Sequence, residues 1–113
     1  MKKAILYTRV STDEQADKGF SLRDQEQKLK SYCKRNNVEA TAIYTDDYSA
    51  KTFNSPEFKK LVQFAKTNAN NLDEILFIKW DRFSRNTTES YNMIKFFGEL
   101  GIIVNAIEQP LDL

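Results

Sequence analysis

The 113-residue sequence contains no histidine, one cysteine, three glycines and two prolines. Without an imidazole, every mechanism with a histidine base and every His-ligated metal centre is excluded, the Ser-His-Asp arrangement among them. The lone Cys33 can form neither an internal disulfide nor a thiolate cluster, so a reduced, cytoplasmic setting is expected. No apolar run approaches the roughly 20 residues that span a bilayer, and the opening MKKAILYTRV turns polar too soon for a signal peptide. No membrane partner is expected. An excess of one charge is lacking too: 17 Lys plus Arg face 16 Asp plus Glu, so any basic site must be local. What is present is a hydrophobic content of 41% beside 29% charged residues, the balance of a globular chain, at a length that suits one domain over 1–113.

Short β-branched and aromatic runs alternate with longer segments of helical period, a βαβ rhythm. Lys3 to Arg9 reads as a strand whose apolar stretch Ala4 to Tyr7 suits a central position covered on both faces. The polar stretch 12–20 reads as a loop. Ser21-Leu-Arg-Asp24 opens a helix with Leu22, Leu29, Tyr32 and Cys33 on its inner stripe, ending at Asn36-Asn37. Glu39 to Thr45 is a second strand, and Asp46 to Lys51 a polar turn. Ser55-Pro-Glu-Phe58 starts a second helix: Ser caps, Pro fits the first turn, and Glu57 favours the positive end of the dipole. Its inner face is Phe58, Leu61, Val62 and Ala65. Asp73 to Trp80 is a third strand, and Asn86 with Glu89 caps a last helix with Met93, Ile94, Phe97 and Leu100 inward and Gly101 as its stop. Ile102 to Ile107 is the fourth strand. The expected fold is a three-layer α/β/α domain with a mainly parallel sheet of at least four strands.

In parallel sheets reactive groups collect at the carboxyl ends of the strands. Those ends carry Arg9 and Ser11, then Asp46-Asp47, then Asp81, Arg82 and Arg85. Arg9 and Ser11, two apart on extended chain, can face one phosphate together, and Arg82 and Arg85 can lie on one side of their loop. Forked guanidinium donors suit phosphate better than lysine does. Plainer roles stand beside these: Ser11 as a turn residue, and the arginines as partners of Asp13, Asp47 or Asp81. Trp80 and Phe83 read as packing rather than base-stacking platforms, and Tyr7 and Tyr44 as buried. Lys28, Lys30, Lys34, Arg35, Lys59 and Lys60 read as solvated helix faces.

At Tyr7-Thr-Arg-Val-Ser-Thr-Asp-Glu-Gln15 and Lys79-Trp-Asp-Arg-Phe-Ser-Arg85 the chain resembles the catalytic domain of the serine recombinases, the resolvase and invertase family. The similarity extends through Phe20-Ser-Leu-Arg-Asp-Gln25, through Asp47-Tyr-Ser49-Ala50 and through Glu108-Gln-Pro-Leu-Asp112, and the extended loop before the first helix looks more like the large and transposon-borne branch. The resemblance implies a resolvase-like fold and a DNA strand exchange in which Ser11 attacks a phosphodiester to leave a 5′-phosphoserine link. It implies Arg9, Arg82 and Arg85 around the phosphate, Asp81 orienting them, and Gln25, Asp47 and Ser49 in support. Exchange of one phosphodiester for another is nearly isoenergetic, so neither a cofactor nor a metal is expected.

In two respects the sequence departs from the family. Members usually carry an arginine where Ser55 stands before Pro56, and Lys51 in the same loop is a candidate phosphate contact in its place. They also continue into a long dimerisation helix and a DNA-binding region, so 1–113 is expected to be an excised catalytic domain. The implied partners are DNA and, in the full-length protein, a homodimer and tetramer. The fragment alone is expected to be monomeric or weakly self-associating, inactive, and weak in binding DNA. The alternative from another class is a receiver-like or other phosphate-binding signalling module. Receivers need an acidic pair after the first strand, where this chain has Arg-Val-Ser. A nucleotide-binding domain ranks last, because no Gly-rich loop follows that strand.

Overall fold

The computed structural model describes residues 1–9, 22–46, 55–83 and 87–108, the Asp81 side chain excepted. The elements follow as β1 (Lys2–Arg9), α1 (Leu22–Arg35), β2 (Val38–Asp46), α2 (Pro56–Thr67), β3 (Glu74–Phe77), α3 (Trp80–Phe83), α4 (Thr87–Glu99) and β4 (Ile103–Ala106), with a 3₁₀ turn at Ala69–Asn71. All pairings are parallel, in the order β2-β1-β3-β4, so β1 lies inside the sheet as its apolar run requires.

One cluster packs Leu29 and Cys33 of α1 on Ala4, Leu6, Leu76 and Ile78; the other packs Phe58, Leu61 and Ala65 of α2 and Phe97 of α4 on Ile5, Tyr7, Ile75, Phe77 and Val104. Alternate residues of β1 thus feed opposite cores, which gives the three expected layers. Ser55 caps α2, accepting from the Phe58 N–H at 3.2 Å with Pro56 in the first turn. Gly101 closes α4 at φ 81°, a left-handed conformation that glycine adopts without the Cβ penalty.

Three expectations are corrected. The third strand is shorter than Asp73–Trp80: it ends at Phe77, and Trp80 turns into α3 to set its ring 4.9 Å from Phe77. The fourth strand likewise spans only Ile103–Ala106, matching the length of β3 that it pairs with. Gln25, a polar residue outside the expected stripe of α1, is fully buried.

The β1–β2 ladder shifts register between Ala4 and Ile5: Ala4 pairs with Ala40, but Ile5 pairs with Ala42. Thr41 is the extra residue, and its hydroxyl donates to the Ala4 carbonyl at 3.1 Å. Such a bulge moves every later pairing by one. Arg9 therefore stands opposite Asp46, where an unbroken register would have placed Thr45.

Candidate active site

The carboxyl edge of the sheet gathers Arg9, Asp46 and Arg82, each at most 4% exposed. Burying a guanidinium or a carboxylate is costly unless it is paired and hydrogen-bonded, so the surroundings of each decide what it can do. The Arg9 backbone is held by Gln25, whose amide oxygen accepts from the Arg9 N–H at 3.3 Å and whose amide nitrogen donates to the Arg9 carbonyl at 3.0 Å. The β1–β3 ladder covers only Ala4 to Leu6, and the Gln25 amide offers the end of β1 a donor and an acceptor beyond it. The Arg9 head group reaches across the edge, where its Nε–H donates to the Arg82 carbonyl at 3.3 Å. That carbonyl is fixed by α3, which is anchored through Phe83: its ring is stacked on Phe77 at 4.6 Å and stands edge-on to Tyr7 at 6.4 Å.

Asp46 lies on the next strand, about 4.8 Å away across the ladder and on the same face as Arg9. Its Oδ2 accepts from the Tyr7 hydroxyl at 3.1 Å and from the Ser55 hydroxyl. Burial, together with the Asp46 charge and this hydrogen bond, pushes the Tyr7 phenol far above the ordinary tyrosine range, while Arg9 pulls it part of the way back. Tyr7 is a neutral donor at physiological pH, and the buried Asp46 side chain accepts from it.

Of the residues singled out from the sequence, Arg9, Arg82 and Gln25 come together. Arg82 and Arg9 are 73 positions apart in the chain yet joined by a hydrogen bond. Ser11, Arg85, Asp47, Ser49 and Lys51 lie outside the described residues, as does the side chain of Asp81. Two residues at the edge do more than the sequence suggests: Tyr7 is buried as expected but also donates to Asp46, and Asp46, one of the two acids expected at the end of the second strand, stands in register with Arg9. A strand-end acid in register with a strand-end arginine was the available signal, but the register depends on the Thr41 bulge. Among the plain readings that fall on described residues, Phe83 is core, Trp80 packs against it, and Lys28, Lys30, Lys34, Arg35, Lys59 and Lys60 are exposed, whereas Tyr44, expected to be buried, is half-buried.

The sequence profile of the family described as "Resolvase, N terminal domain" matches residues 4–113, and the chain belongs to that family. A "Resolvase/recombinase" of Pseudomonas putida is 31% identical over 105 residues, 93% of this chain and 51% of that protein, so the chain spans about half the length of that relative. An "Uncharacterized immunity region protein 3" of Bacillus phage phi105 is 36% identical over 63 residues, 55% of this chain and 77% of that one. Among solved structures, the N-terminal catalytic domain of TP901-1 integrase superposes with a TM-score of 0.86 at 26% identity, covering 98% of this chain and 81% of that one. The chain is a recombinase catalytic domain of that family.

Proposed function

We propose that the domain cuts and rejoins DNA through Ser11. Its oxygen attacks the phosphorus of a backbone phosphodiester, an Oγ–P bond forms and the P–O3′ bond breaks. The hydroxyl proton is given up, the leaving 3′ oxygen gains one, and the DNA is left with a 5′-phosphoseryl link. Reversal with a new 3′-hydroxyl restores the phosphodiester. Phosphoryl transfer rests on alignment and on donors placed where charge grows, and Arg9, Arg82 and Arg85 supply them without an imidazole. Asp81 orients the arginines, Gln25 holds Arg9, Asp47 and Ser49 support the loop after β2, and Lys51 takes part of the phosphate. In the full-length protein the active assembly is a homodimer that pairs into a tetramer.

The observation that carries this reading is the bond from Arg9 to Arg82, which brings two distant segments to one point of the sheet edge. Ser11 follows Arg9 by two residues in the sequence. The test is to incubate the full-length recombinase with cognate DNA and trap covalent protein–DNA adducts. Adducts are expected with the parent protein and none with Ser11→Ala; adducts that survive that substitution refute the assignment.

A further inference from the structure

Ser55 has two bonds of different meaning. Its oxygen accepts from the Phe58 N–H, which caps α2, and its hydroxyl donates to Asp46 Oδ2. The first bond belongs to the helix. The second is not needed for capping, and it ends on the carboxylate that stands in register with Arg9. Ser55 is 6% exposed and Asp46 2%, so this contact is sheltered from water, where a hydrogen bond to a charged group is worth most. Tyr7 donates to the same oxygen from β1. The Asp46 carboxylate is thus held from two directions, by the strand that carries Arg9 and by the helix that follows the loop after β2.

We propose that Ser55 is a positioning residue of the strand-exchange site: by fixing the Asp46 carboxylate beside Arg9, it sets the direction of the Arg9 guanidinium. The role assigned to Arg9 at the phosphate rests on the function proposed above, while the positioning itself does not. Asp46 stands in register with Arg9 on the same face of the sheet, and a carboxyl group freed from one of its two hydroxyl donors can turn about its Cβ–Cγ bond. The Nε–H of Arg9, now aimed at the Arg82 carbonyl, reports that change directly.

Glycine is tolerated at a helix N-cap nearly as well as serine, so Ser55→Gly removes the donor to Asp46 at little cost to α2. Ser55→Thr keeps both bonds. Ala65→Gly weakens α2 nearly three turns further on without touching Asp46. In the 113-residue chain, hydrogen exchange at the Arg9 Nε–H is followed by NMR, the signal being assigned by its loss in Arg9→Lys. In the full-length recombinase, the rate of adduct formation is measured with DNA affinity alongside. For Ser55→Gly the expectation is at least about fivefold faster exchange and about 10- to 100-fold slower adduct formation at unchanged affinity, with Ser55→Thr and Ala65→Gly within about threefold of the parent in both. Should Ser55→Gly not fold, Asp46→Asn, which keeps the shape and removes the charge, is expected to loosen Arg9 in the same way. An Arg9 signal unchanged by Ser55→Gly, or by Asp46→Asn in its place, overturns the proposal, as does a signal moved equally by Ala65→Gly. A parent protein that forms no adduct overturns the proposed function instead, and the exchange measurement still decides the positioning.

Discussion

Replacing Gln25 by methionine isolates what its amide does, because the two side chains are close in volume and the site is closed to water. The amide makes two hydrogen bonds to the Arg9 backbone, at 3.3 and 3.0 Å. Each is worth about 1 kcal/mol net, and a buried donor or acceptor deprived of its partner costs about 1 to 3 kcal/mol. With little cavity left by methionine, Gln25→Met is expected to lower stability by about 2 to 4 kcal/mol. Urea unfolding followed by the fluorescence of the single Trp80 measures it. At a slope of about 2 kcal/mol per molar, typical of a small domain, the midpoint falls by about 1 to 2 M with the slope unchanged. A loss below about 0.5 kcal/mol, the range of an ordinary surface change, would refute the claim that Gln25 completes the end of β1.

Three further outcomes follow from the same geometry. Tyr7 has a folded-state pKa raised above its ordinary value, so its contribution to stability is complete below about pH 10 and declines above it, by about 1.4 kcal/mol per pH unit. Tyr7→Phe is expected to remove one proton's worth of that alkaline slope, measured as the urea midpoint from pH 8 to 12; an unchanged slope would contradict the burial of the phenol. Phe83→Ala, which takes away the ring stacked on Phe77, is expected to cost about 3 to 5 kcal/mol by the same unfolding assay. Arg9→Lys in the full-length recombinase is expected to slow adduct formation about 100-fold or more, since lysine cannot present the forked donors and their fixed geometry.

The fold was legible because its signals are local. The run Ala4 to Tyr7 has no polar residue to spare for solvent, which put β1 inside the sheet, and Ser55-Pro56 marked the start of α2 through chemistry that acts over three residues. The end of β3 differs from the expectation because Ile78 is as buried as any strand residue, while the chain turns after it into α3 with Trp80 packed on Phe77, a tertiary contact. The same division holds at the site. Arg9 stands out as an arginine at a strand end, and Arg82 as one a few residues past the third strand. Asp46 does not, since choosing it over Asp47 requires the extra residue at Thr41, and Gln25 matters through a backbone gap that exists only once β3 has ended. Ser55 was read for its cap alone, because the bond to Asp46 crosses between elements.

The central claim, that Ser11 and the arginines of two distant segments act on one phosphate, is tested most directly by locating the DNA on the protein. After the full-length recombinase is trapped on its site and digested with nuclease and trypsin, the peptide Val10–Lys18 is sequenced by mass spectrometry. The account predicts a nucleotide phosphate on Ser11. A nucleotide on Thr12 or on any other residue, or a trapped complex with no covalent nucleotide at all, would contradict it.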